Sequence, residues 1–139
     1  MTDTNAPNVL WIVPDQHRPD WLGAAGHRVR TPNVDALSDA GVRFENAVCP
    51  SPVCAASRAC LATGLSYDRS PVPGNDADLP SDATTVYEQL RDEAGYHVAG
   101  CGKFDLHKAS YAWGTDGQHR LDDWGFSAGV DNAGKWDAV

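Results

Sequence analysis

The sequence predicts an α/β fold, with a mostly parallel sheet flanked by helices, and two observations carry that prediction. Short apolar runs without polar alternation, at 8–13 and 96–101, are typical of strands that are covered on both faces. Segments with apolar residues at helical spacing, 31–41 and 84–94, lie between such runs. Strands that alternate with helices indicate a parallel sheet, and ligands of such sheets bind beyond the carboxyl ends of the strands.

The first half of the chain contains the first strand, a helix and a possible second strand. The apolar run 8–13 ends at Pro14 and Asp15. Thr31 and Pro32 then offer an N-cap and a proline at the first helical position, and Gly41 offers a stop. The stretch 42–48 is predicted as a second strand.

The central part of the chain predicts two more helices and another strand. Cys54–Thr63 is rich in alanine, which favours a helix, and Gly64 offers a C-terminal stop. The segment 66–81, with three prolines and a Gly-Asn pair, is predicted as a loop. A helix over 84–94 and a strand over 96–101 follow.

Three of these segments are expected to meet at one anion-binding site. Asp15 and Lys103 each come just after a predicted strand, at the edge of the sheet where ligands bind. The helix that begins at Cys54 would point its N-terminal N–H groups, with their partial positive charge, towards an anion.

Composition excludes some classes of protein. The net charge is -8, with 19 acidic against 11 basic residues and only 3 lysines, so the basic footprint of a nucleic-acid binder is lacking. The many aspartates and few lysines are compatible with a halophilic protein or with an ordinary acidic surface. No apolar run approaches the ~20 residues that span a bilayer, and the start is polar without a basic region. We therefore expect a cytoplasmic protein with no membrane or nucleic-acid partner.

The segment 52–64 carries the most specific pattern in the chain. Its sequence, Pro-Val-Cys-Ala-Ala-Ser-Arg-Ala-Cys-Leu-Ala-Thr-Gly, resembles the sulfatase signature Cys-x-Pro/Ala-x-Arg with its Leu-x-Thr-Gly ending. The stretches 8–18, 31–44 and 95–103 resemble other parts of the same family in the same order. Residues 1–139 thus look like the N-terminal portion of a sulfatase catalytic domain of the alkaline phosphatase superfamily, matched over about 8–108, with 109–139 poorly defined.

The resemblance implies a role for each matched residue. Cys54 would be converted by a maturation enzyme into formylglycine, whose hydrate is the nucleophile. Arg58 would hold that hydrate, and Lys103 would contact the sulfate and the leaving oxygen. Asp15 and Gln16, together with residue 54, would bind a divalent cation, usually calcium. The substrate would be a small-molecule sulfate ester.

The chain departs from the commonest family pattern at two places. Gln16 stands where many members have a second aspartate; its amide oxygen can bind a hard cation but brings no charge. Asp105 replaces the histidine of the usual Gly-Lys-Trp-His-Leu-Gly. His107, two residues later, is a candidate substrate-binding residue.

Three functions remain open at this point. The first is sulfate ester hydrolysis, and the second is hydrolysis of phosphonate monoesters or phosphodiesters by the same superfamily chemistry. The third is a non-catalytic truncated fragment or pseudoenzyme. The family draws further metal ligands from far downstream, and nothing in 109–139 resembles that segment, so the isolated chain is expected to have an incomplete site and an incomplete sheet.

Overall fold

The computed structural model describes residues 6–110 and 121–131. The described residues divide into two compact units, one within 3–48 and the other within 49–139.

The 3–48 unit contains a 3-10 turn, Gly23–Ala25, and helix α1, Pro32–Ala40. The predicted helix is confirmed, with Pro32 as its first residue. Thr31 occupies the N-cap position, but its hydroxyl donates to the Asp35 carboxylate at 2.8 Å instead of capping the helix. The N–H of Ala24 donates to the same Asp35 oxygen at 2.8 Å. Asp35 therefore ties the turn to the helix.

The strands predicted at 8–13 and 42–48 are wrong for this structure. Neither segment forms a strand, and their apolar side chains are exposed, with Leu10 at 85% and Val48 at 88%. The backbone N–H and C=O groups of a strand form their hydrogen bonds with a neighbouring strand, whereas those of a helix bond within the helix itself. The described residues of this unit supply no such neighbour. The two segments therefore do not form strands, although their composition favours them.

The 49–139 unit contains both helical and strand elements. They are helix α2 (Cys54–Thr63), a 3-10 turn (Tyr67–Arg69), helix α3 (Val86–Glu88) with a π-helical continuation (Gln89–Glu93), strand β1 (Ala99–Gly102) and strand β2 (Ala128–Asp131). The two strands pair in parallel, with Ala99 opposite Ala128 and Gly102 opposite Asp131. The α/β class is confirmed. In the part of the chain that the structure describes, the sheet has two strands.

Helix α2 has the predicted bounds and supplies one wall of the core. Gly64 adopts the left-handed conformation, φ 70°, and its N–H donates to the Cys60 carbonyl, which ends the helix. The buried face consists of small residues, chiefly Ala55, Ala59 and Ala62, which let the helix backbone approach its neighbours closely. That face packs against larger buried side chains from later segments: Val72, Leu79, Leu106 and Trp124.

The elements after α2 differ in detail from the prediction. The helix expected over 84–94 begins at Val86, where the buried Thr85 hydroxyl accepts from the Glu88 N–H and donates to the Trp124 carbonyl at 2.6 Å. The strand expected over 96–101 lies at 99–102. Strand β2, in the poorly periodic C-terminal part, was not predicted. Over 6–110 and 121–131, no helix has the length and apolarity that crossing a membrane requires.

Candidate active site

Cys54 is the first residue of α2 and is partly exposed. Val53 before it is extended, so the chain turns into the helix immediately ahead of the thiol. The Cys54 Sγ lies 3.1 Å from the side-chain oxygen of Asn75, and the Ala55 N–H donates to the same oxygen at 3.3 Å. Asn75 thus holds both the thiol and a backbone N–H of the first helical turn.

Arg58 lies one helical turn after Cys54 and joins α2 to the end of β1. Its Nη1 donates to the backbone carbonyl of Lys103, just past β1. Burial raises the pKa of the neighbouring Tyr87 phenol, and the positive charge of Arg58 acts in the opposite direction. The structure therefore brings together two of the candidate catalytic residues, Arg58 and Lys103, through a side chain and a backbone carbonyl.

A buried carboxylate lies between the two lysines that follow β1. The Asp105 side chain is fully buried, and its Oδ2 is 3.4 Å from Lys103 Nζ while its Oδ1 is 3.3 Å from Lys108 Nζ. Asp105 has φ 55°, in the left-handed region that aspartate enters more readily than most residues. The residue that replaces the family histidine is therefore an acid that pairs with the candidate catalytic lysine.

The loop 74–80 connects the Cys54 region with the loop after β1. Asn75 contacts Cys54 at one end of this loop. At the other end, Asp78 accepts from the Ala109 N–H at 2.7 Å, and the Leu79 N–H donates to the Leu106 carbonyl at 2.7 Å. The helix start and the lysine loop therefore belong to one hydrogen-bonded arrangement within the 49–139 unit.

His107 is part of the core. Its imidazole is 1% exposed, stacks on Trp124 at 5.7 Å, and places Nε2 3.0 Å from Asp131 Oδ2. Asp131 also accepts from the Phe104 N–H at 3.0 Å, so this acid at the end of β2 holds the loop after β1 from two sides. Substrate binding by His107 stays a prediction, and this packing does not support it.

Asp15 and Gln16 form an exposed turn in the 3–48 unit, and Gln16 has φ 57°. Because they belong to the other compact unit, their clustering with Cys54 stays a prediction. A hard cation such as calcium takes six to eight oxygen ligands. Among the described residues, no group of three or more His, Cys, Asp or Glu side chains could hold a metal ion. The described residues by themselves therefore do not fit a complete cation site.

Sequence reasoning missed Asn75 and the part played by Lys108 and Asp131. The only local signal at Asn75 is the Gly-Asn pair, which predicted a turn and nothing more. Contacts of Asn75 with Cys54 and of Asp131 with His107 join residues more than twenty positions apart. No spacing rule reports contacts of that kind.

The fold and the site together define a class of protein. It is an α/β protein in which a nucleophilic side chain stands at a helix N-terminus, and an arginine and two lysines lie near the end of a parallel strand. Such an arrangement suits an anionic ligand, because helix N-termini and fixed cations both attract negative charge.

Comparison with known proteins then gives the family. The Sulfatase family model matches residues 7–136, and the chain belongs to that family. An ulvan-active sulfatase of Formosa agariphila is 38% identical over 121 residues, which cover 85% of this chain and 24% of the relative. An arylsulfatase of Clostridium perfringens is 34% identical over 102 residues, which cover 73% of this chain and 21% of the relative.

An N-acetylglucosamine-6-O-sulfatase of Bacteroides thetaiotaomicron is 30% identical over 129 residues, which cover 88% of this chain and 23% of the relative. The chain therefore spans about a quarter of the length of the curated relatives that it matches.

Proposed function

We propose that the whole protein hydrolyses sulfate esters and that residue 54, after conversion of its cysteine into formylglycine, is the nucleophile. One observation carries the proposal: α2 presents Cys54 and Arg58 on successive turns, and Arg58 bonds to the backbone of Lys103. Membership of the sulfatase family supports the same chemistry, as do the sulfatase activities for which the relatives are named.

In this proposal the Cys54 sulfur stands in for a hydroxyl of the formylglycine hydrate. The hydrate supplies two hydroxyls on one carbon. One hydroxyl attacks the sulfur of the ester, the bond between sulfur and the leaving oxygen breaks, and the alcohol departs with a proton. Deprotonation of the other hydroxyl then re-forms the aldehyde and breaks the carbon–oxygen bond to the sulfate, which is expelled. The Asn75 side-chain oxygen, 3.1 Å from the thiol, is an acceptor that such a hydroxyl could use. The environment of residue 54 is therefore compatible with the modified side chain.

Arg58 and Lys103 would offset the negative charge of the substrate. A sulfate ester repels an approaching nucleophile, and fixed donors aimed at the charged oxygens reduce that repulsion without reorganising during the reaction. The Arg58 guanidinium is partly buried and held by the Lys103 carbonyl, so its charge is pre-positioned. The N–H groups of the first turn of α2 carry partial positive charge and would also stabilise the negative charge of the substrate, to a smaller extent.

We further propose that the whole protein binds a divalent cation, with Asp15 and Gln16 among its oxygen ligands. Carboxylate and amide oxygens are the donors that calcium prefers. Because the described residues do not complete such a site, no step of the reaction is assigned to the cation. The partners of the whole protein would then be a small-molecule sulfate ester and a formylglycine-generating maturation enzyme.

A second candidate is hydrolysis of phosphonate monoesters or phosphodiesters by the same nucleophile. Two residues favour it: Gln16 brings no charge where an aspartate is common, and Asp105 replaces the family histidine. A changed charge distribution around the site would alter which anion is preferred. A panel of sulfate, phosphate and phosphonate esters separates the two candidates by their relative kcat/KM values.

The proposal is tested by producing the whole protein together with a maturation enzyme. Peptide mass spectrometry should find an aldehyde in place of the Cys54 thiol, which lowers the peptide mass, whereas the sulfur oxidation ladder raises it. A matched Cys60→Ala variant, altered at a buried cysteine of the same helix, should still be converted at residue 54. Unmodified Cys54 in the presence of an active maturation enzyme would contradict the proposal.

A further inference from the structure

The loop after β1 holds a cluster of three charged residues, and the proposed reaction uses only one of them. The cluster consists of Lys103, Asp105 and Lys108. Each ammonium faces a different oxygen of one carboxylate, at 3.4 Å for Lys103 and 3.3 Å for Lys108. The carboxylate is fully buried, whereas the lysine side chains are 20% and 22% exposed. The acid thus lies beneath two cations that still reach solvent.

The net charge of the cluster depends on the second lysine. An Asp105–Lys103 pair alone would be neutral and would attract an anion weakly. With Lys108 on the other oxygen, two cations share one anion, and the cluster keeps one positive charge. Partial burial limits screening by water and salt, so this charge acts more strongly than an exposed lysine would.

The backbone reinforces the placement of the cluster. Arg58 holds the Lys103 carbonyl, and the backbone of Asp105 is in the left-handed conformation, φ 55°. A residue kept in a sparsely populated conformation is retained where surrounding contacts over-determine it, and such positions concentrate at functional sites.

We propose that Asp105 is a positioning residue for the Lys103 ammonium and that Lys108 is a second cationic contact for the anionic group of the substrate. The inference rests on the proposed function, since Lys103 is taken to face the sulfate group. The acid restricts where the two ammonium groups lie, and the second lysine restores the charge that the acid cancels. The cluster would recognise an ester of a tetrahedral oxyanion such as sulfate, and inorganic sulfate is the simplest analogue of that group.

The test separates charge from position in the whole protein, through two measurements. The affinity for inorganic sulfate, by calorimetry, reports charge and does not require turnover. The KM and kcat for a sulfate ester report both. Lys108→Met should weaken sulfate binding about tenfold to hundredfold, as expected for loss of a hydrogen bond from a charged donor, and should raise KM. Lys108→Arg should restore most of the affinity.

Asp105→Asn is expected to behave in the opposite way. Asparagine matches aspartate in shape and tolerates the left-handed backbone, so the change removes charge with little strain. Without the acid the cluster gains positive charge, and sulfate should bind at least as tightly as in the parent. The kcat should nevertheless fall about tenfold to hundredfold, because Lys103 is no longer held in one position.

Asp78→Ala is the control for loop order, because it removes the carboxylate that accepts from the N–H groups of Ala109 and Ser110 in the same loop and that makes no lysine contact among the described residues. An equal fall in kcat for Asp78→Ala would assign the effect to loop order and overturn the proposal. So would unchanged sulfate affinity in Lys108→Met, or a normal kcat in Asp105→Asn. If the protein hydrolyses no sulfate ester but Lys108→Met still loses sulfate binding, the proposed function fails and the anion contact stands.

Discussion

The two compact units make different use of their apolar residues. In the 49–139 unit, α2 buries a face of alanines against Leu79, Leu106 and Trp124. In the 3–48 unit, none of the described residues 6–48 is buried, and the apolar run 8–13 is 41–85% exposed over Val9–Val13. Helix α2 and the run 8–13 are both rich in apolar residues, so composition alone does not decide which segment is buried. A helix completes its own hydrogen bonds and needs only a packing surface, whereas a strand also needs a hydrogen-bonding neighbour.

The largest expected effect concerns Cys54, the proposed nucleophile in the 49–139 unit. In the whole matured protein, Cys54→Ala should lower turnover by a factor on the order of 10⁴ to 10⁶, as for other enzymes that lose a nucleophile. The fold should change little, because Cys54 lies at a helix start and alanine is a good helix former. Cys101→Ala, at an exposed cysteine of the same unit, is the control. Substantial sulfate ester turnover by purified Cys54→Ala protein would remove residue 54 from the reaction.

Lys103 is expected to give the next largest effect. Lys103→Ala should lower turnover ~100- to 1000-fold, the usual result of removing one preorganised donor. Its position just beyond a strand end predicts a side chain free of the core, with a stability cost on truncation within about 0.5 kcal/mol. The structure corrects that expectation, because the ammonium is paired with the buried Asp105 carboxylate.

The loss of stability in Lys103→Ala should therefore be larger, about 1–3 kcal/mol, for a buried acid that loses one partner. Lys103→Ala combined with Asp105→Asn should recover part of that stability but not the activity. Urea unfolding and steady-state kinetics on the same preparations measure both effects. Normal turnover in Lys103→Ala would show that the lysine acts only in the ion pair.

A pair of leucines tests the contrast between the units directly. Leu106 is 2% exposed and Leu10 is 85% exposed. In this chain Leu106→Ala should cost about 2–5 kcal/mol of unfolding free energy, since it leaves a cavity. Leu10→Ala should stay within about 0.5 kcal/mol. Equal costs in a urea titration would mean that segment 8–13 is buried in solution and that the contrast fails.

The smallest expected effect is the pH dependence due to Tyr87. Burial raises the pKa of its phenol in the folded protein above the usual value of about 10. The folded state then keeps the proton where the unfolded chain loses it. The resulting stability is fully present below about pH 10 and is lost as the pH rises through the folded pKa.

Tyr87→Phe should therefore lose less stability than the parent between pH 9 and about pH 11, as followed by urea unfolding at each pH. If the parent and Tyr87→Phe lose stability in parallel, the phenol of Tyr87 is not desolvated in solution.

Local signals in the sequence predicted the helices best. Alanine content and Gly64 located both ends of α2, and Pro32 and Gly41 located α1, because helix hydrogen bonds join residues four positions apart. Strands were predicted less well: β1 was displaced, β2 was missed, and the two segments of the 3–48 unit were wrong. The partner of a strand comes from elsewhere in the chain, and its presence cannot be read from the strand itself.

The candidate site shows the same division. The sequence by itself determined that Cys54 and Arg58 share a helix one turn apart and that Lys103 follows a strand, since these are local facts of spacing. Only the tertiary structure decided that Asn75 binds Cys54, that Asp105 lies between Lys103 and Lys108, and that His107 is buried. Those contacts depend on how the loops pack around the alanine face of α2, and packing energies are summed over distant residues rather than encoded at any one position.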